Sequence, residues 1–144
     1  MAKSVKLEIV TPERLFYKGD VELVIVRTLL GDEGFMAGHS WACKLLDVGE
    51  IWIREAGQKD YRIMAGAQGF IDVRDSIIIF LDKAEWAGDI DIARAMSEKE
   101  RAEHWLAQHD DSVEDEELVM RAKISIQKAT TRMKVAQGQG RGSR

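Results

Sequence analysis

Apolar residues repeat at every second position up to about Trp86 and at helical spacing after Gly88, and this change of period most constrains the fold. In the first part, Val5-Lys6-Leu7-Glu8-Ile9-Val10 alternates apolar and polar residues as a half-buried strand does. Further strand-like runs follow at Val21–Val26, Ile51–Arg54, Tyr61–Ala65, Gly69–Val73 and Ser76–Leu81. Glu55-Ala56-Gly57-Gln58 and Arg74-Asp75 separate such runs and predict hairpin turns. Short strands at this spacing predict a sandwich of about seven or eight strands, with no long helix before residue 85.

Beyond Gly88, Asp89 or Asp91 can cap a helix running to about Gln108, because its carboxylate can accept a free N–H of the first turn. Ile92, Met96, Ala102, Trp105 and Leu106 form its apolar stripe. His109-Asp110-Asp111-Ser112 is a polar break with Ser112 as N-cap, and a second helix is predicted from about Val113 to Ala136. Its stripe is Leu118, Ala122, Ile126, Ala129, Met133 and Ala136. Glu114, Asp115, Glu116 and Glu117 crowd its start and Lys128, Arg132 and Lys134 its end, which complements the helix macrodipole. The short break implies an antiparallel two-helix hairpin. The expected class is therefore α+β: an antiparallel β-sandwich over 1–86, a helical hairpin over 87–137, and a disordered tail over 138–144. The hairpin stripes are narrow and rich in alanine. Such helices are marginal alone and must dock on the sheet domain, on a partner, or on each in turn.

Composition excludes several classes. At 144 residues, 45% hydrophobic and 32% charged, the chain has the balance of a globular protein. No apolar run approaches a membrane span, and the opening residues lack the apolar segment of a secretion signal, so no direct membrane insertion is expected. A net charge of −4 gives no electrostatic reason to bind nucleic acid. Cys43 is the single cysteine, and His39, His104 and His109 lack the paired spacing of a zinc site. No nucleophile–base pair stands at a recognisable spacing, so an independent enzyme is not expected.

Four segments carry a resemblance to the epsilon subunits of bacterial F-type ATP synthases. Leu7-Glu8-Ile9-Val10-Thr11-Pro12-Glu13-Arg14 resembles their opening strand and turn, and Gly31-Asp32-Glu33-Gly34-Phe35-Met36-Ala37-Gly38-His39 resembles their glycine-rich loop. Gln68–Val73 with Leu81–Glu85 is similar to their closing strands, and Asp89-Ile90-Asp91-Ile92-Ala93-Arg94-Ala95 to the start of their first C-terminal helix. Ala37 stands where the family usually has proline, Glu33 where it has an apolar residue, and Trp41-Ala42-Cys43-Lys44 replaces a run like Ala-Pro-Leu-Leu. The resemblance implies a sandwich of about ten strands followed by a helical hairpin.

It also implies a non-catalytic rotor subunit at the cytoplasmic face of the cell membrane, coupling ion flow to ATP synthesis and inhibiting hydrolysis through a mobile hairpin. Its partners would be the gamma subunit, the c-ring and, in the extended state, the alpha and beta subunits. Asp32 matches an acidic residue that faces the c-ring, and Gly38 and His39 share that segment. The glycines also have a simpler reading as turn residues, and His39 as a hydrogen-bonding turn residue. No Gly-Lys-Ser/Thr ending or following helix supports a phosphate loop. No cofactor is required, but a regulatory ATP is implied: Asp91 and Arg94 match the family's ATP-binding motif, Glu85 a further acidic contact, and Arg132 one of its arginines. Lys128 stands where a second arginine would be. The bland readings are a helix cap and a solvated charged face. Arg121, Lys128 and Arg132, at spacings of seven and four, form a basic stripe that could meet acidic partner surfaces. A competing function is a stand-alone ATP-sensing binding module using the same Asp91, Arg94 and Arg132.

Overall fold

The computed structural model describes residues 3–109 and 116–138, which fall into two compact units, the first ending at Trp86 and the second beginning at Ala87. The expected N-cap Ser112, the acids Glu114 and Asp115, and residues 139–144 lie outside the described residues.

Nine strands are described in the first unit: β1 Val5–Val10, β2 Leu15–Thr28, β3 Gly31–Phe35, β4 Ala42–Leu46, β5 Gly49–Glu55, β6 Arg62–Gly66, β7 Gly69–Val73, β8 Ile77–Leu81 and β9 Ala84–Trp86. Their order is β1-β8-β7-β4-β2-β5-β6-β9, with β3 hydrogen-bonded to β2. The long β2 joins the layers, since Leu15–Val21 pairs with β1 while Val24–Thr28 pairs with β3. One pairing departs from the antiparallel expectation: β1 and β8 run parallel, Leu7 opposite Ile77 and Ile9 opposite Ile79. The two strands are far apart in sequence, so no short hairpin forces them to run in opposite directions.

Strand alternation builds the core. Val5, Leu7 and Ile9 of β1 and Ile77, Ile79 and Leu81 of β8 are buried, and Ile53, Met64, Ile71 and Phe35 join them from other strands. Each such side chain contributes about 1.5–3 kcal/mol on burial. The opposite parity leaves apolar groups on the outer face. Phe70 pairs across β7–β8 with Phe80, their rings stacked 4.7 Å apart, while Leu45 pairs with Phe70 and Val10 with Phe80. Leu45 is 63%, Phe70 39% and Phe80 37% exposed, so an apolar row crosses four strands on the solvent side.

β9 is held at its end by aromatic packing. Trp86 stacks on Phe16 at 5.1 Å, meets Tyr17 edge-on, and lies 4.0 Å under the Arg62 guanidinium. The Tyr17 hydroxyl donates to Glu55 Oε2 at 2.9 Å. Burial first, and then the Glu55 carboxylate, raise the Tyr17 phenol well above the ordinary tyrosine value. A raised folded-state value means that the unfolded chain loses this proton first. The stability it contributes is therefore whole below about pH 10 and falls as pH rises beyond it. Thermal melts between pH 8 and about 12 should show an alkaline loss of stability that is reduced in Tyr17→Phe. That variant should itself lose about 1 kcal/mol at neutral pH with the hydrogen bond. Parallel pH profiles for the two proteins would refute this.

The second unit opens with a 3-10 turn, Ala87–Asp89, followed by α1 Ile92–His109 and α2 Glu116–Ala136. Of the two candidate caps, Asp91 fills the role: its Oδ1 accepts the Arg94 backbone N–H at 3.0 Å and its carbonyl accepts that of Ala95. The helices run antiparallel, because Glu98 early in α1 meets Arg132 late in α2. The expected apolar stripe of α1 is displaced by one position at its start. Ala95 is buried, whereas Ile92 and Met96 are 36% and 44% exposed. On α2 the buried positions are Ala129, as expected, and Val135, which the stripe omitted; Leu118 is 47% exposed. Two of these three buried residues are alanines, whose size permits close helix approach.

Candidate functional site

The segment expected as a glycine-rich loop is half strand. β3 pairs with β2 through Val24–Phe35 to Thr28–Gly31, and Leu29 and Leu30 form the tight connection. Gly31 and Gly38 have φ of 118° and 81°, so the turn reading fits both. Gly34 sits inside β3, where an added Cβ would lie 3.3 Å from Leu23 Cδ1.

Asp32 stands opposite Arg27 in the β2–β3 register, and its Oδ1 accepts a hydrogen bond from Arg27 Nε at 2.5 Å. His39 closes the following turn: its backbone N–H donates to Met36 O at 3.2 Å, and its Nδ1 lies 2.7 Å from Ser40 O. The imidazole also rests against Phe35, ring centres 4.7 Å apart. Asp32 is thus held by a strand partner, and Gly38 and His39 by the turn that follows. Two departures from the family pattern meet here, since Lys44 Nζ donates to Glu33 Oε1 at 2.5 Å. A charge on β3 that replaces an apolar residue is matched by the charge on β4 that does the same.

Of the residues matched to an ATP site, Glu85 lies in β9 of the first unit, half-buried and opposite Ala65. Asp91, Arg94, Lys128 and Arg132 lie on the hairpin. Asp91 and Arg94 meet through the cap, carboxylate to backbone N–H, while the Arg94 guanidinium turns along the helix to Glu98. Arg94 Nε donates to Glu98 Oε1 at 3.1 Å and Arg132 Nη1 to Glu98 Oε2 at 3.3 Å. Glu98, which the sequence reading did not single out, therefore stands between the two arginines. Its place four residues after Arg94 was a legible signal. Its reach to Arg132 depends on the hairpin register.

The basic stripe divides along α2. Arg121 is exposed and pairs with Glu117 Oε1 at 3.0 Å, a solvated pair worth at most a few tenths of a kcal/mol. Lys128 is half-buried, and the Arg132 side chain is only 18% exposed and turned to Glu98. No described helix is long and apolar enough to cross a membrane.

Comparison with known proteins covers both units. A family model described as ATP synthase, Delta/Epsilon chain, beta-sandwich domain, matches residues 4–87, and one described as ATP synthase, Delta/Epsilon chain, long alpha-helix domain, matches 89–137. The ATP synthase epsilon chain of Bacillus velezensis is 36% identical over 135 residues, 93% of this chain and 98% of the relative. That of Caldanaerobacter subterraneus is 38% identical over 138 residues, 94% and 96% of the two chains. Among solved structures, a chain of the Euglena gracilis mitochondrial ATP synthase superposes with a TM-score of 0.74 at 21% identity, over 89% of this chain and 78% of that one. At that identity the likeness speaks for the fold alone.

Proposed function

Because the chain belongs to the ATP synthase delta/epsilon family, among the bacterial epsilon subunits, we propose that it is a non-catalytic rotor subunit that couples ion flow to ATP synthesis and restrains hydrolysis. The observation that carries this reading is the continuous likeness to bacterial epsilon chains through the sheet unit and the hairpin alike. A stand-alone ATP-sensing module would not need the sheet unit to keep that likeness.

In this reading the sheet unit binds the gamma subunit and the c-ring, with Asp32, Gly38 and His39 near the ring. This holds the chain peripherally at the cytoplasmic membrane face. The hairpin is a two-state element. In one state it is withdrawn and the motor turns freely; in the other it lies among the alpha and beta subunits and opposes hydrolytic rotation. Arg121, Lys128 and Arg132 would then meet acidic surfaces of those partners. Regulatory ATP, held through Asp91, Arg94, Lys128 and Arg132, favours the withdrawn state only by binding it more tightly. Lysine at 128 supplies a point charge to a phosphate, without the planar fork of arginine. This chain makes and breaks no bond itself.

The test compares ATP hydrolysis by the reconstituted soluble synthase sector carrying the full chain or one ending at Ala87. Truncation should raise hydrolysis severalfold while gamma binding persists. Equal rates with binding intact would leave a coupling subunit without an inhibitory hairpin, and loss of binding by the full chain would overturn the assembly itself.

A further inference from the structure

We infer that Glu33 and Lys44 form an inward-facing charge seal over the open side of the sandwich, which keeps a second copy of this chain from adding to β3 or β4. The two strands border different layers on that side. Among the described residues β3 is hydrogen-bonded to β2 alone, and β4 to β7 apart from the single Thr28–Leu46 pair. Each therefore carries backbone N–H and C=O groups along one margin that a strand from another molecule could take up.

Both charges stand at positions whose parity points to the core. Glu33 faces Val26 across β2–β3, two residues before Phe35, and Val26 and Phe35 are fully buried. Lys44 faces the buried Ile71 across β4–β7, two residues before the buried Leu46. An apolar side chain at either place would carry the core out to the edge. Instead Lys44 Nζ donates to Glu33 Oε1 at 2.5 Å, with the two side chains 40% and 31% exposed. A lysine stem covers apolar surface while its ammonium reaches the opposite edge.

Register supplies the exclusion. β3 is Gly31–Phe35 and β4 is Ala42–Leu46, so Glu33 and Lys44 are the middle residues of their strands. Two copies joined β3 to β3, antiparallel about a two-fold axis through the strand centre, would set Glu33 opposite Glu33. The same join at β4 would set Lys44 opposite Lys44. Like charges directly opposite destabilise an antiparallel pair, and here both would point toward the cores. A join of β3 to β4 gains nothing from charge, because each residue already has its partner within the chain.

Sedimentation velocity of the full-length chain over a concentration series tests this. Glu33→Val with Lys44→Val, which places strand-forming apolar residues at both centres, should self-associate about tenfold or more tightly than wild type. Amide exchange in β3 or β4 should slow as that association builds. Exchanging the charges, Glu33→Lys with Lys44→Glu, retains the pair and should sediment as wild type does. Glu33→Gln with Lys44→Gln should fall between, and serves if the double valine variant does not fold. Neutral variants that associate no more than wild type would overturn the inference and leave Glu33–Lys44 an ordinary surface ion pair. Association without protection of either strand would overturn it too, since the contact would then lie on another face.

Discussion

Gly69→Ala should destabilise the sheet unit by about 3 kcal/mol or more, among the largest losses a single methyl group can cause. An ideal Cβ at Gly69 would collide with the Phe80 carbonyl oxygen, and would lie 2.8 Å from the Phe80 carbonyl carbon and 3.0 Å from Leu81 Cα. All three atoms are backbone, so no rotamer change relieves the contact. Gly69 faces Leu81 across β7–β8 and Leu46 across β4–β7, which places the strain between two paired neighbours. Relief requires β8 to move away, and β8 carries the buried Ile77, Ile79 and Leu81. Gly31 and Gly38 form the contrast. Nothing lies within 4 Å of a Cβ at either, and alanine there meets only the cost of a positive φ, about 1–2 kcal/mol. Denaturant melts of the full chain should thus order Gly69→Ala well below Gly38→Ala. A loss under about 1 kcal/mol at Gly69 would mean that β8 shifts freely.

The strands legible in the sequence are those whose order is carried by their own pattern. β1 and β7 have the bounds expected from alternation, and β8 differs by one residue at its start. β3 was not legible, because Gly-Asp-Glu-Gly-Phe lacks β-branched residues and becomes a strand only by pairing with Val24–Thr28. The first half of β2 was hidden by Lys18-Gly19-Asp20, which resembles a turn but pairs with β1 at Leu7 and Lys6. β9 is three residues long, and its anchor is the packing of Trp86 on Phe16, Tyr17 and Arg62 from distant parts of the chain.

The candidate site divides along the same line. Asp91 as a helix cap is local chemistry and could be read from spacing. The burial of Ala95 in place of Met96 could not, because a helix shows which residues share a face before it shows where the partner lies. Arg132 belonged by spacing to a solvent-facing stripe. The hairpin register turns it to Glu98 instead and leaves Arg121 as the exposed member. A mutation at Arg132 therefore changes contacts within the hairpin as well as any contact with a partner, and Arg121 is the cleaner probe of the proposed basic surface.

If the sheet unit binds the gamma subunit as proposed, Phe70→Asp should weaken that binding by about thirtyfold or more, as expected for a central aromatic contact. Leu45, Phe70, Phe80 and Val10 stand side by side on β4, β7, β8 and β1, and their parity points them away from the core. The sheet does not need this row for its own burial, since the opposite face of the same strands carries Leu46, Ile71, Ile79 and Ile9. An exposed apolar row of this kind is costly in water unless another surface covers it. The shallow groove beside it, lined by Pro12, Gly69, Phe70 and Phe80, gives that surface a recess to fill. Aspartate at position 70 would set a charge against an apolar partner and would also break the stack with Phe80. Phe70 is 39% exposed, so the isolated chain should melt within about 1–2 kcal/mol of wild type while capture by gamma is lost. Arg121→Ala, on the hairpin, should leave gamma capture unchanged if the sheet unit is what gamma holds. Capture that survives Phe70→Asp and a matching Phe80→Asp would move the gamma contact off this face.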